Sequence, residues 1–139
     1  MRHLVKGRKL NRTSSHRSAL MSNLSISLVK HKRIITTEPK AKELRRFIER
    51  LITYAKKDNL HGRRLIMSKI KGNLKKEVAN TLIHDIAPNY SDRNGGYTRI
   101  IKLANRKNDN ASMSIIEFVD FKIDESDKIQ KEEDKEDKN

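Results

Sequence analysis

Residues 37–55, TEPKAKELRRFIERLITYA, carry the clearest structural pattern in this sequence. Thr37 is a residue type that often precedes a helix, and Pro39 is tolerated in a first helical turn. Apolar residues then recur at the spacing that places them on one helical face: Ala41, Leu44, Ile48, Leu51, Ile52 and Ala55. Cations occupy much of the remaining surface: Lys42, Arg45, Arg46 and Arg50. The stretch predicts a helix that buries one face and presents positive charge on the other.

The segment before this helix predicts a second helix and a strand. Thr13 or Ser14 can accept a hydrogen bond from first-turn amides. Leu20, Leu24 and Leu28 follow at four-residue steps, so a helix should run from there to about His31. The short β-branched run RIITT at 33–37 predicts a buried strand.

The segment after the helix predicts two more helices and a hairpin. A short helix should run from about Leu60 to Ile70, closed by Gly72. Apolar residues then recur every fourth position and indicate another helix, which Pro88 should end: Leu74, Val78, Leu82 and Ile86. Two strand-like runs, YTRIIKLAN at 97–105 and SMSIIEFVDF at 112–121, favour an antiparallel hairpin.

These elements predict an α+β fold of two layers, in the order α-β-α-α-α-β-β. We expect the helices to cover one face of a small mixed three-stranded sheet. Residues 1–12 show neither helix nor strand periodicity and predict an extended basic arm. We expect residues 13–121 to form one globular domain. Residues 122–139, KIDESDKIQKEEDKEDKN, offer no core-forming ladder, so we expect a disordered acidic tail.

Charge is abundant and unevenly distributed. The chain has 32 Lys and Arg against 18 Asp and Glu, a net charge of +14. The tail holds eight acids and five lysines, so removing its −3 from +14 leaves +17 on residues 1–121. Residues 1–37 hold nine Lys and Arg and no acid. Such a field attracts polyanions.

The sequence offers little support for catalysis, a metal or a cofactor. It has no phosphate-binding G-x-x-x-x-G-K-[ST] loop and no G-x-G-x-x-G turn. Its five histidines show no metal-ligand spacing: His3, His16, His31, His61 and His84. Cysteine is absent, which excludes a thiol nucleophile and fits a reducing cytoplasm. We therefore expect neither enzyme activity nor a cofactor.

Nucleic-acid binding explains the cations best. Solubility alone favours alternating charges, yet residues 38–57 hold only three Glu against seven Lys and Arg. Cations spread over an arm, several helices and a loop suit the phosphate backbones of structured RNA better than one DNA-reading helix. A basic DNA-binding nucleoid or regulatory protein is the alternative. A membrane-surface protein is disfavoured because interfacial Trp is absent.

Six short motifs follow one another along the chain: the opening MRH, then GRKLNRTSSHR, TTEPKAKELRR, LITYAKKD, GGYTRIIKL and IEFVD. This ordered set resembles the bacterial L17-type ribosomal proteins of the large subunit. The resemblance implies a two-layer fold, a cytoplasmic ribosomal location and contact with large-subunit ribosomal RNA. It also implies a small ribosomal protein as neighbour near the peptide exit tunnel, with no catalysis, cofactor or small-molecule substrate.

Positions that match these motifs are the predicted RNA contacts. They are Arg2, His3, Lys6, Arg8, Lys9, Asn11 and Arg12 in the arm, Ser14, Ser15, His16 and Arg17 at the first helix, and Arg45, Arg46, Arg63, Arg64, Tyr97 and Arg99 beyond it. One departure affects the last hairpin, where Asn108 stands at a position commonly occupied by Gly. Asn tolerates left-handed backbone angles, so the turn can survive.

Overall fold

The computed structural model describes residues 7–120, so the predictions for residues 1–6 and 121–139 lie outside it. Its helices are α1 (Ser14–His31), α2 (Glu38–Ala55), α3 (Leu60–Lys69) and α4 (Lys75–Thr81), then a π-helical turn (Leu82–Ile86) and a 3-10 turn (Ala87–Tyr90). Its strands are β1 (Arg33–Thr37), β2 (Thr98–Lys102) and β3 (Met113–Phe118). The predicted α+β class and element order are confirmed.

Helix α2 lies at the centre of the core, as its pattern predicts. Its buried residues are the expected ones: Ala41, Leu44, Ile48, Leu51, Ile52 and Ala55. They pack with Leu28 and Val29 of α1, Ile66 of α3, and Ile116 of β3. One face of α2 is therefore committed to the core, and its cations are left on the outside.

The sheet is antiparallel throughout, so the prediction of a mixed sheet was wrong. The strand order is β1-β3-β2. β3 pairs antiparallel with β2 across the hairpin and antiparallel with β1 on its other side. Because β3 separates the two earlier strands, β1 and β2 never form the parallel pair that a mixed sheet would need.

Strand β1 has the predicted bounds but is not buried as predicted. It is an edge strand, and Ile35 is 63% exposed. The β-branched composition of RIITT suits a strand whether or not both faces are covered. Composition alone could not distinguish an edge from the sheet interior.

The segment after Gly72 forms an α-helix, a π-helical turn and a 3-10 turn in succession, not the single helix predicted. The α-helix ends at Thr81, and Pro88 lies inside the following 3-10 turn. Val78, Leu82 and Ile86 are still buried, but Leu74 precedes the helix and is 46% exposed. The π-helical turn keeps Leu82 and Ile86 directed at the core while the chain approaches Pro88.

Backbone contacts replace one predicted side-chain cap. Thr37 precedes α2 but its hydroxyl accepts no capping hydrogen bond. The Glu38 N–H, at the start of that helix, donates instead to the Ser112 carbonyl at 2.9 Å. The sheet thereby satisfies an amide that a cap would otherwise bind. Asn59 does cap α3, since its Oδ1 accepts from the Gly62 N–H at 2.6 Å.

The β2–β3 turn has its left-handed residue at Asn110, with φ 53°, and not at Asn108, the position of the sequence departure noted above. Asn108 therefore needs no left-handed angle, and Asn110 is a residue type that tolerates one. Its N–H donates to the Arg106 carbonyl at 2.9 Å, and the Arg106 guanidinium binds both carboxylate oxygens of Asp109. That hydrogen-bonded guanidinium lowers the pKa of Asp109 well below its usual range.

Candidate nucleic-acid interface

A basic cleft of about 490 Å³ lies where the arm passes the N-terminal part of α1 and the exposed side of α2. Five cations from these three segments line it: Arg8, Lys9, Arg17, Arg46 and Arg50. Glu43 is the one acid among its lining residues. Leu10, Met21 and Phe47 supply the apolar part of the wall. The cleft therefore concentrates positive charge above a partly apolar floor.

The arm is joined to α2 through Glu43. Its carboxylate Oε1 lies 3.9 Å from the Arg8 Nε, and its side chain is 18% exposed. Gly7 lies beside the same carboxylate, and a Cβ there would be in ordinary van der Waals contact with Glu43 Oε2, at 3.6 Å. Gly7 also has φ +90°, which favours glycine. The Arg8–Glu43 contact keeps Arg8 beside the helix that supplies Arg46 and Arg50.

The N-terminus of α1 opens beside the same cleft. Thr13 occupies the cap position, yet its side chain makes no capping bond, contrary to the predicted role. Its hydroxyl lies 3.3 Å from that of Ser15 instead. No acid stands in the first turn, and Ser14 lines the cleft. Uncapped first-turn amides favour an anion, so this end reinforces the attraction of the cleft.

The cations of α2 divide into paired and unpaired sets. Lys42 Nζ lies 2.6 Å from Glu38 Oε1, and that hydrogen bond lowers the pKa of Glu38. Arg45 Nε lies 3.4 Å from Glu49 Oε1. Within residues 7–120, Arg46 and Arg50 form no ion pair, and both face the cleft. The unpaired guanidiniums are those directed at the candidate site.

Arg63 and Arg64 lie on α3 and do not line the cleft. The Arg63 guanidinium donates to Asn80 Oδ1 of α4, which joins the two helices. Arg64 is exposed. The pair therefore forms a separate cationic position rather than part of the main site.

Tyr97 and Arg99 occupy places that differ from the expectation of direct RNA contact. Tyr97 is 3% exposed, and its ring centroid lies 5.3 Å from that of Tyr90. Lys56 Nζ lies 5.4 Å from the Tyr97 centroid. A ring so enclosed cannot stack on a base. Arg99 is exposed but bonded to Glu117 on the sheet face opposite the helices.

Arg50 and Glu43 are site residues that the sequence prediction did not include. The signal for Arg50 was available, because it follows Arg46 by four residues and so shares its helical face. The sequence gives no comparable signal for Glu43, because its role in the site depends on where the arm passes. Of the other predicted residues, Asn11, Arg12, Ser15 and His16 are exposed at the junction of arm and α1.

Residues 7–120 contain neither a candidate metal site nor a candidate membrane-spanning helix. No group of three or more His, Cys, Asp or Glu in that range could hold a metal ion. In the same range, no helix combines the length and the apolar character needed to span a bilayer.

The fold and cleft together define a small basic α+β protein with a cationic surface assembled from three segments. A family model described as ribosomal protein L17 matches residues 20–119, and the chain belongs to that family. This finding confirms the resemblance drawn from the motifs.

Curated relatives support the same assignment. A protein of Orientia tsutsugamushi (strain Ikeda), named large ribosomal subunit protein bL17, is 54% identical over 88% of this chain and 83% of its own length. The protein of that name from Rickettsia bellii (strain OSU 85-389) is 52% identical over 99% of this chain and 94% of its own. One from Ehrlichia canis (strain Jake) is 54% identical over 88% and 94%.

Proposed function

We propose that this chain is a structural constituent of the large ribosomal subunit that binds and stabilises folded large-subunit ribosomal RNA. Family membership makes it a ribosomal protein, and it therefore acts in translation on the cytoplasmic ribosome. The observation that supports RNA binding is the convergence of Arg8, Lys9, Arg17, Arg46 and Arg50 on one cleft. We assign the chain no catalytic role and no cofactor.

The arrangement of the cations supports backbone contact rather than base reading. They come from an arm and two helices, so no single element could follow a DNA groove alone. Base stacking would need an accessible aromatic ring. Among residues 7–120, Phe47 is the aromatic residue that lines the cleft, and its ring is half-buried and packs against the core. Phosphate contact and shape recognition of folded RNA are what this surface can supply.

Other parts of the proposal extend beyond the cleft. Arg2, His3 and Lys6 would continue the arm along the RNA, and Arg12 with Asn11 would contact it at the helix junction. Arg63 and Arg64 would form a second contact on α3. The setting is the neighbourhood of the peptide exit tunnel, beside another small ribosomal protein. Tyr97 is left out because it is buried.

The test removes the two unpaired guanidiniums of α2 together. Arg46→Gln with Arg50→Gln should lower affinity for a large-subunit rRNA fragment and make log K less dependent on log salt by about 2 units, from about 0.9 per phosphate contact. Lys76→Gln, an exposed cation on α4 outside the cleft, is the control. Both proteins would also compete with the unmodified chain for incorporation into large subunits.

Two results would contradict the proposal. Equal binding and incorporation by the double variant and the control would show that the cleft does not contact RNA. A DNA duplex could instead compete for the chain as well as the rRNA fragment does, while the unmodified chain fails to co-sediment with large subunits. That result would support the DNA-binding alternative.

A further inference from the structure

The face of the sheet opposite the helices carries three cross-strand rows. Register places Arg33 and Arg99 on either side of Glu117, and Ile35 and Ile101 on either side of Ile115. The third row contains Thr37 and Met113, and the Leu103 N–H donates to the Met113 carbonyl at 2.9 Å. The face is thus charged at one end and apolar over the rest.

The apolar part of this face is unusually open. Five large apolar side chains are exposed among residues 7–120, and three of them lie here. Ile35 is 63% exposed, Ile101 37% and Leu103 38%. Ile115 lies between its two neighbours and is 9% exposed. Clustered exposed aliphatic groups indicate an interaction surface, whereas scattered ones do not.

The row formed by Arg33, Glu117 and Arg99 favours a ligand with a negative charge at this end of the surface. Glu117 has a side chain only 8% exposed, and its Oε2 lies 3.0 Å from the Arg33 Nε. Its other oxygen accepts from the Arg99 Nε. One carboxylate thus fixes two guanidiniums, and both bonds use Nε. The row has a net positive charge, so a ligand carboxylate is favoured beside it.

The outer edge of β1 adds main-chain groups to the same surface. The Phe118 N–H donates to the Lys32 carbonyl at 3.2 Å, and the Glu38 N–H to the Ser112 carbonyl at 2.9 Å. Antiparallel ladders alternate, so the even-numbered residues of β1 bond to β3. The N–H and C=O groups of Arg33, Ile35 and Thr37 therefore point to the outer edge. Within residues 7–120 no further strand covers that edge.

We propose that an extended segment of a neighbouring protein lies along the outer edge of β1, packing an aliphatic side chain against Ile35 and placing a carboxylate beside Arg33. The added strand would bond to the main chain of β1, and the side chains would give specificity. The inference takes its setting, the large subunit, from the proposed function. It concerns a different surface from the basic cleft.

The features of this surface favour a polypeptide over its competitors. An aliphatic row can neither stack on a base nor bond to a phosphate, so RNA would leave it unused. A second copy would bring another net +14 against the first. An acidic peptide segment with aliphatic residues can bond to the outer main-chain groups of β1, pack against Ile35 and place a carboxylate beside Arg33.

The experiment places the photo-crosslinking residue p-benzoylphenylalanine at position 35 of the full chain, which is then assembled into large subunits and irradiated. We expect a covalent product with one protein of the subunit. The same probe at position 60 is the matched control, because Leu60 is also 63% exposed but lies on α3.

Charge substitutions give an independent readout. Ile35→Asp should lower retention of the captured protein after a salt wash about fivefold or more, from lost apolar burial. Leu60→Asp should leave retention unchanged. Products solely with RNA, with a second copy or with the acidic tail would overturn the inference, as would unchanged retention. Such results leave rRNA binding intact, whereas failure of the unmodified chain to enter subunits overturns the proposed function.

Discussion

Arg8 and Glu43 meet with their Nε and Oε1 atoms 3.9 Å apart, and this contact joins the arm to α2 at the mouth of the basic cleft. An ion pair of this kind contributes about 0–1 kcal/mol, since Arg8 is 53% exposed. Its larger consequence is positional. Glu43 lowers the positive charge of the cleft while it orients Arg8 there.

Replacement of Glu43 should separate these two effects. Glu43→Gln removes a negative charge, so affinity for an unrelated RNA duplex should rise about two- to threefold by lost repulsion. Incorporation into large subunits should fall, because the arm is no longer held on α2. Glu77→Gln, at an exposed position on α4, is the control. A change of both readouts in the same direction would contradict a positioning role.

The Tyr90 hydroxyl should give the protein a distinct alkaline response. It donates to the Val119 carbonyl at 2.6 Å, and burial raises the pKa of Tyr90 to about 12. The ordinary pKa is about 10, so the phenol stabilises the fold fully below about pH 10. That contribution disappears as the pH rises from about 10 to 12. The phenolate can no longer donate the bond, and its charge is poorly hydrated.

Tyr90→Phe tests this response. At pH 8 the variant should lose about 1 kcal/mol of unfolding free energy, because the Val119 carbonyl loses its donor. The difference from the unmodified protein should shrink above about pH 10, measured by urea unfolding at several pH values. A difference that stays constant from pH 8 to 11 would show that the hydroxyl does not titrate as expected.

The sequence predicted well the features that local pattern determines. The face of α2 and the bounds of β1 follow from periodicity and composition. Features set by distant contacts were missed. β3 inserts between β1 and β2, which makes the sheet antiparallel and leaves Ile35 at an edge. The buried position of Tyr97 depends on Tyr90 and Lys56, and no local signal reports those neighbours.

The candidate site shows the same division. Arg46 belonged to a recognisable basic helix face, so it was predicted. The role of Glu43 in the site could not be predicted, because it depends on the path of the arm. The arm turns at Leu10 and Asn11, which have φ 55° and 51°. Two successive non-glycine residues with left-handed angles are uncommon, and composition did not indicate them.

Removing residues 122–139 should leave the fold intact. The last contacts of the described chain, from Tyr90 to Val119 and from Arg93 Nη2 to Asp120 Oδ2 at 3.0 Å, precede the cut. The melting temperature should shift by less than about 3 °C, equivalent to roughly 0.5 kcal/mol. Non-specific RNA binding should strengthen modestly, because the net charge rises from +14 to +17.

A full-length chain with the tail carboxylates changed to amides is the matched comparison for that truncation. It should bind RNA at least as tightly as the truncated protein if the tail acts through charge. A much lower melting temperature after truncation would show instead that the tail packs on the domain, against the prediction of disorder.

Deletion of residues 1–12 should barely change the stability of the free protein but should remove much of its rRNA affinity. The arm contains only four large apolar residues, Met1, Leu4, Val5 and Leu10. Ordering each residue costs about 1–2 kcal/mol of backbone entropy, so the arm can add little net stability. Five Lys and Arg leave with it, and Arg8 and Lys9 are part of the cleft wall.

A charge-matched comparison decides whether position or total charge matters in the arm. Arg8→Gln, Lys9→Gln and Arg12→Gln together should reproduce much of the loss of affinity, with a weaker salt dependence. Lys69→Gln, Lys75→Gln and Lys76→Gln remove the same charge from exposed positions outside the cleft. Thermal unfolding of each free variant and its competition with the full-length chain for incorporation into large subunits are the measurements. Equal incorporation by the two triple variants would mean that the arm has no special role, and the helices would then have to bind the RNA alone.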